Sequence, residues 1–129
     1  MMDHGLMGTL RRHLLSVSLL EHFKVYTVLP PQRVYPFICL DLTNVWSAFP
    51  GHPVLERKRV LFTIQLWAQG AHLQQPHRVM GAILKAGDGV SLKLEEGHKA
   101  TLKFLKSSGA EADRQGVRVY QQYFEAFIA

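Results

Sequence analysis

Seven histidines are the residues of this sequence whose side chains are best suited to metal binding. His72 and His77 are five residues apart, a spacing that does not place both on one face of a helix. His13 and His22 are nine residues apart, and the sequence contains no H-E-x-x-H motif. Structural zinc needs four convergent ligands. We therefore expect no metal site, and we interpret His52 and His98 as plain surface residues.

Other groups with catalytic potential are also poorly placed. Cys39 is the single cysteine, so neither an intramolecular disulfide nor a cysteine-based zinc site can form. It lies in an apolar run that predicts a buried, unreactive thiol. Glu95 and Glu96 are adjacent in the chain, so a strand would point them to opposite faces. The sequence has no phosphate-binding loop, dinucleotide fingerprint or nucleophile elbow. We expect no catalytic residue, no cofactor and no enzymatic activity.

Basic residues form two groups. One lies beside a polar loop and comprises Arg57, Lys58 and Arg59. The other can gather on the solvent side of neighbouring strands and comprises Lys93, Lys99, Lys103 and Lys106. An ordinary solvated sheet face explains the second group, and a surface that faces DNA phosphates or an acidic partner also explains it. No aromatic pair follows the pattern of an RNA-recognition sheet.

Hydrophobic spacing predicts two helices that position these groups. The first extends from Gly5 to Phe23, with leucines at helical spacing. The second extends from about Leu73 to Ala86, with a proline in its first turn, where the missing N–H costs little. Gly87 is expected to cap this helix. Gly81, in its middle, suggests close packing on a sheet.

Alternating apolar residues predict the strands. A short strand at Val25–Val28 precedes two longer ones at about Phe37–Trp46 and Arg59–Ala68. Three more strands follow the second helix. They begin at about Val90, Lys99 and Val117, and the last, which ends at Ile128, has a pattern that Gln121 and Gln122 interrupt, as a bulge would. The order predicts an α+β domain, with a mostly antiparallel sheet of about five strands, two helices on one face and long β-hairpins.

Length and composition agree with that architecture. The chain has 129 residues, which suffices for one domain spanning residues 1–129, and 47% of them are hydrophobic. Its formal net charge is +5, a mild basic excess that permits nucleic acid nearby without indicating a nucleic-acid reader. No segment has the ~20 consecutive apolar residues of a membrane span. We expect a protein assembled in a cytoplasm.

Two polar hairpin loops are the strongest candidates for contacts with other proteins. They are too rich in small and charged residues to pack internally, and their strands are longer than a small core needs. The candidate interaction residues in the first loop are His52, Glu56, Arg57 and Lys58. Those in the second loop are Glu111, Asp113 and Arg114.

Several stretches together resemble a known family. Arg33–Pro36 is similar to a short I/V-Y segment after a first helix, and Pro36–Asp41 to a strand that opens with proline. Arg59–Ala68 resembles a strand that ends in tryptophan, and Val79–Leu84 lies where a second helix is found. Asp113–Phe124 is similar to a closing hairpin with the pattern D-x-x-G-x-R. In this order, the stretches resemble the tail-completion proteins of long-tailed bacteriophages, also called tail terminators or head–tail joining proteins, with relatives in prophages and gene-transfer agents.

The resemblance implies a structural role in virion assembly. Such proteins cap the tail tube, commonly as a homo-hexameric ring, and join it to the head. The implied partners are other copies of the chain, the tail tube protein and the head connector protein, and DNA passes through the ring without sequence-specific binding. The implied location is the virion tail, or the bacterial host cytoplasm during assembly. The alternative is a small oligomeric α+β binding module with weak nucleic-acid association.

Overall fold

The computed structural model describes residues 5–47, 57–70, 75–109 and 112–129. Helix α1 spans Leu6–Leu15 and buries Leu6, Leu10 and Leu14, which follow one another at a spacing of four residues. The predicted extension to Phe23 is wrong, because residues 16–23 form successive turns instead. Ser16 Oγ donates a hydrogen bond to the His13 carbonyl at 2.6 Å, a local bond that competes with further helix.

Helix α2 spans Pro76–Gly87, so the proline lies in its first turn, as predicted, and occupies the first position. The expected first residues of this helix, 73 and 74, lie outside the described residues. Gly81 does not mark close packing, since a methyl group added there would meet no atom within 4 Å. Gly87 is helical rather than a left-handed cap, and Gly89 adopts the positive φ of 74° instead.

Six strands form one sheet in the order β1-β2-β3-β6-β5-β4. Their bounds are β1 Val25–Tyr26, β2 Phe37–Ser47, β3 Lys58–Gln69, β4 Ser91–Lys93, β5 Lys99–Gly109 and β6 Val117–Ile128. The expectation of about five strands is therefore corrected to six. Every neighbouring pair is antiparallel except β1 with β2, which is parallel, so the sheet is mostly antiparallel as predicted.

Both helices share one core with a single face of the sheet, which we call the helix face. The register brings apolar residues of adjacent strands side by side on this face, as where Phe62 lies opposite Phe124 and Phe124 opposite Phe104. The rings of Phe62 and Phe124 stack with centroids 5.5 Å apart. Alternate residues point to the opposite face, which carries neither helix and which we call the open face.

The sheet contains two irregularities, and neither is at Gln121 or Gln122, where the sequence pattern suggested one. They lie at Thr43 in β2 and at Leu105 in β5. The register of β6 with β3 is continuous through both glutamines. Gln122 interrupts the apolar pattern because its side chain is buried on the helix face and donates from Nε2 to the Met80 carbonyl at 2.9 Å.

The two long hairpins end at opposite ends of the sheet. The β2–β3 hairpin turns beside Lys58, which lies opposite Ile128 at the end of β6. The β5–β6 hairpin turns beside Val117, which lies opposite Gln69 at the end of β3. The sequence pattern placed the second loop at residues 107–116, but β5 continues to Gly109, so residues 107–109 belong to the strand. No helix in the described part of the chain is long and apolar enough to cross a membrane.

Candidate interaction surfaces

The first hairpin presents part of the predicted basic group. Arg57 is exposed and precedes β3, and Lys58 pairs with Ser47 in the last step of the β2–β3 ladder. His52 and Glu56 lie outside the described residues. Of the four predicted positions at this tip, the structure therefore describes two. Both are basic residues beside the end of the sheet.

Arg59, the third member of that group, is exposed but makes contacts within its own chain. Its Nε and Nη2 each lie 2.8 Å from Oε2 of Glu125, on the open face of β6. Its guanidinium carbon is 5.3 Å from the centre of the Trp46 ring, so the charge is also held over an aromatic face. Glu125 is only 7% exposed, and its charge needs a partner at this depth. Arg59 is thus a structural residue of the hairpin base.

The second hairpin is closed by a turn that Asp113 organises. Its Oδ1 accepts hydrogen bonds from the backbone N–H groups of Gln115 at 2.8 Å and Val117 at 2.9 Å. Gly116 completes the turn with φ 77° and accepts a bond from the Gly70 N–H at its carbonyl, which ties the turn to the end of β3. Among the predicted positions, Asp113 therefore builds the turn, Arg114 is exposed at it, and Glu111 lies outside the described residues.

The two tips are separate surfaces rather than one site. They lie beyond opposite ends of β3 and β6, which pair over twelve residues from Lys58–Ile128 to Gln69–Val117. At about 3.4 Å per residue, the ends are roughly 37 Å apart. The chain therefore presents two different surfaces at opposite ends of the sheet.

The open face carries the predicted lysines. The register places Lys93 opposite Lys99, Lys103 opposite Glu125 and Lys106 opposite Tyr123. The ammonium nitrogen of Lys106 lies 4.9 Å from the centre of the Tyr123 ring. Phe127, in the same face, is 46% exposed. The lysines therefore share a side of the sheet, as the alternation predicts, and are accompanied there by partly exposed aromatic surface.

An aromatic stack, which sequence reasoning missed as a unit, lies at the other end of the open face. Phe37 is stacked between Tyr35 and Trp67, each at a ring distance of 5.6 Å, and Tyr26 meets its edge at 5.5 Å. The Arg33 guanidinium lies 4.9 Å from the Trp67 ring centre. The tryptophan was visible as the end of an alternating strand, but only the pairing of Phe37 with Trp67 reveals the stack.

Two described side chains with catalytic potential, Cys39 and His13, lie in structural settings. Cys39 is buried, and desolvation together with the nearby charge of Asp41 raises its thiol pKa, which opposes thiolate formation. No cluster of three or more metal-ligating side chains occurs among the described residues. A cavity of about 340 Å³ between the helices is lined by side chains that include His13, Ala82 and Val90. The Nε2 atom of His13 lies 2.7 Å from the Ala86 carbonyl, so this histidine is engaged in joining the helices.

Comparison with solved structures identifies a similar fold. No protein-family model and no curated protein sequence matches the chain. A chain of the structure titled "Virion of native gene transfer agent (GTA) particle" superposes with a TM-score of 0.74 and 18% identity. The match covers 95% of this chain and 93% of that one. At this identity the similarity establishes a shared fold over nearly the whole of both chains.

Proposed function

We propose that the protein is a structural component of a phage-like or gene-transfer-agent-like virion, which caps the tail tube and joins it to the head. The observation that carries the proposal is the shared fold with a chain of a gene transfer agent virion over 95% of the sequence. The resemblance to tail-completion proteins, read from short motifs along the chain, points to the same role. The function is assembly rather than catalysis.

We propose that the protein acts as a hexameric ring, which is the assembly that the resemblance to tail-completion proteins implies. Contacts between unlike patches generate a closed ring when the rotation between copies closes. The two hairpin tips, roughly 37 Å apart along the strands, offer unlike ends to the tail tube protein and the head connector protein. In this arrangement Arg57 and Lys58 belong to one contact and Arg114 to the other. DNA passes through the ring without sequence-specific contacts.

The role is tested by deleting the gene from a strain that produces the particles. We expect filled heads and unattached tails, with tails of irregular length because tube growth is no longer capped. A plasmid copy of the gene should restore whole particles, and a copy with a stop codon should not. Normal particles from the deletion strain would contradict the proposal.

A second experiment addresses the ring directly. Multi-angle light scattering and negative-stain microscopy of the purified protein, alone and with isolated tails, should show six-fold rings at tail ends. Rings of a different order would correct the copy number. Binding of the protein along tube walls instead of at tube ends would exclude capping.

A further inference from the structure

We propose that neighbouring copies join by pairing two open strand edges, residues 42–47 of β2 in one copy and residues 105–109 of β5 in the next. The inference deepens the proposed ring and rests on it. Exposed edges present unpaired N–H and C=O groups that act as templates for another strand. The occupant of each edge is the other edge of a second copy of this chain.

The β2 edge is covered for only part of its length. Strand β1 pairs with Ile38 and Cys39, and the Ile38 N–H donates to the Lys24 carbonyl. Beyond Cys39, no strand among the described residues pairs with this side of β2. The Val45 N–H is directed away from β3 and is bonded to the side chain of its own neighbour, Asn44 Oδ1, at 2.8 Å. A local side-chain bond thus occupies a ladder position that another strand could fill.

The β5 edge is covered at its other end. The Leu102 N–H donates to the Val90 carbonyl, and the Phe104 N–H donates to Oδ1 of Asp88 at 3.0 Å, so these residues point outward from β6. Past the bulge at Leu105, the described part of the chain offers no further partner to this side of β5. Because the bulge shifts the alternation by one residue, Ser107 and Gly109 carry the outward groups.

The two edges match in direction and in face. Strands β2 and β5 run in opposite directions, because β2, β3, β6 and β5 are successively antiparallel. Copies in the same orientation therefore bring the edges together as an antiparallel pair. Val45 and Ser107 both direct N–H groups outward, and both lie in helix-face rows, with Val60 and Gln122 respectively. Set opposite each other, they form a hydrogen-bonded pair that continues the same helix face across the junction.

The same pairing fixes the stagger between copies. Val45 lies in the sheet row of Ala126, and Ser107 lies in the row of Gln122, four residues away along β6. The next copy is therefore displaced by roughly 13 Å along the strand direction. Each copy adds four strands to the continuous sheet, and these span roughly 19 Å across it. This slope corresponds to a strand tilt of about 35°, which is the tilt of closed β-barrels. Edge pairing with this stagger is therefore compatible with closure of the sheet into a ring.

The short edge strands leave room for this stagger. Strand β1 occupies the β2 edge only at Ile38 and Cys39, before the open segment. Strand β4 occupies the β5 edge only at Lys99–Thr101, also before its open segment. With Val45 opposite Ser107, each short strand lies beyond the end of the neighbour's open edge. The open segments of β2 and β5 can therefore pair without a collision between β1 or β4 and the neighbouring copy.

Engineered disulfides test the pairing. In a Cys39→Ala background, Val45→Cys and Ser107→Cys lie roughly 20 Å apart within one copy, too far for an intramolecular bond. Between paired edges their Cα atoms would be about 5.5 Å apart, the separation that a disulfide prefers. Oxidation of assembled rings should convert nearly all of the protein to a covalent ladder that ends at the ring size on non-reducing gels. The matched control carries Ser107→Cys and Glu21→Cys, because Glu21 lies outside both edges. It should run as an uncross-linked monomer on the same gels.

The outcomes separate the edge pairing from the ring. Rings that form normally but give no more cross-linking than the Glu21 control would overturn the edge pairing and leave the ring standing. A ladder that grows without a closed size would support the edge pairing and contradict the ring. Oxidised monomers without any assembly would overturn the edge pairing.

A backbone substitution provides an independent test. Ser107→Pro removes the outward N–H of β5 and leaves the bonds to β6 intact, a position where edge strands tolerate proline. We expect Ser107→Pro to raise the protomer concentration needed for assembly at least tenfold. The monomer should keep its circular dichroism spectrum. Ser107→Ala, which keeps the N–H, should assemble as the parent does. Equal assembly by the two variants would overturn the proposal.

Discussion

Gly87 lies directly against the ring of Phe124. A methyl group at Gly87 would approach Cε1 of Phe124 to 2.8 Å and Cζ to 3.0 Å. The ring cannot move aside easily, since it is fully buried, stacks on Phe62 and meets Phe104 edge to face. Because Gly87 has no side chain, the last turn of α2 packs directly on Phe124 in the sheet.

This contact predicts opposite effects of alanine at two glycines of one helix. Gly87→Ala should destabilise the protein by about 1–3 kcal/mol through overpacking. Gly81→Ala should stabilise it by about 0.5–1 kcal/mol, because the added methyl group meets nothing and alanine favours the helix. Urea unfolding of both variants measures the difference. Similar free energies of unfolding for the two would contradict the close approach at Gly87.

The glycine pair illustrates what the sequence could predict. Both lie in a helix that spacing predicts well, but their packing depends on which part of the helix meets the sheet. The strand from Arg59 onward was predictable because one face alternates cleanly with the other. The order of the six strands in the sheet was not predictable. A two-residue strand such as β1 carries too little sequence pattern to indicate which strand it pairs with.

For the candidate interaction residues, the sequence predicted the positions of the loops better than the roles of the residues in them. Loop composition located both hairpins, but Asp113 has a carboxylate committed to its own turn, a role that the D-x-x-G spacing permits without specifying. The open edges could not be predicted at all. They depend on where β1 and β4 stop, which is a property of pairing rather than of any single segment.

Arg59 and Glu125 predict an asymmetric response to substitution. Arg59→Met keeps the apolar stem near Trp46 but leaves a buried carboxylate without its cation, which should cost about 2 kcal/mol. Adding Glu125→Met should recover much of that loss, since an apolar pair replaces an ionic one. Thermal unfolding at constant salt measures both variants.

An exposed pair supplies the control for this prediction. Glu21, 3.4 Å from His22, lies at the surface, and Glu21→Gln should change stability by less than about 0.5 kcal/mol. A double variant no more stable than Arg59→Met would show that Glu125 does not depend on the charge of Arg59.

Asp113 predicts a distinction between turn formation and partner contact. Asp113→Ala removes the acceptor of two backbone N–H groups and should cost about 1–2 kcal/mol. Asp113→Asn keeps an oxygen acceptor and should remain close to the parent in stability and assembly. If Asp113→Asn folds normally but fails to assemble, the carboxylate charge itself belongs to a contact between proteins.

Cys39 predicts slow chemical modification with a defined pH dependence. Its pKa is raised first by burial and then by Asp41, so little thiolate is present near neutral pH and the rate should rise as pH approaches the raised value. Iodoacetamide should label the folded protein roughly tenfold or more slowly than the urea-unfolded chain at the same pH. Asp41→Asn should accelerate labelling of the folded protein modestly. Equal rates in the folded and unfolded protein would contradict burial of the thiol.

The lysines of the open face predict weak, salt-dependent DNA binding. A ring through which DNA passes should hold it no more tightly than non-specific binders do, with Kd of about 10⁻⁴ to 10⁻⁶ M. If Lys103 and Lys106 contact phosphates, the double variant Lys103→Gln/Lys106→Gln should reduce the slope of log K against log salt by about 2. Lys85→Gln, at an exposed position of α2, should leave the slope unchanged. Nanomolar affinity would favour the nucleic-acid-binding module over tail completion. An unchanged slope in the double variant would direct the search for a DNA-facing surface away from the open face.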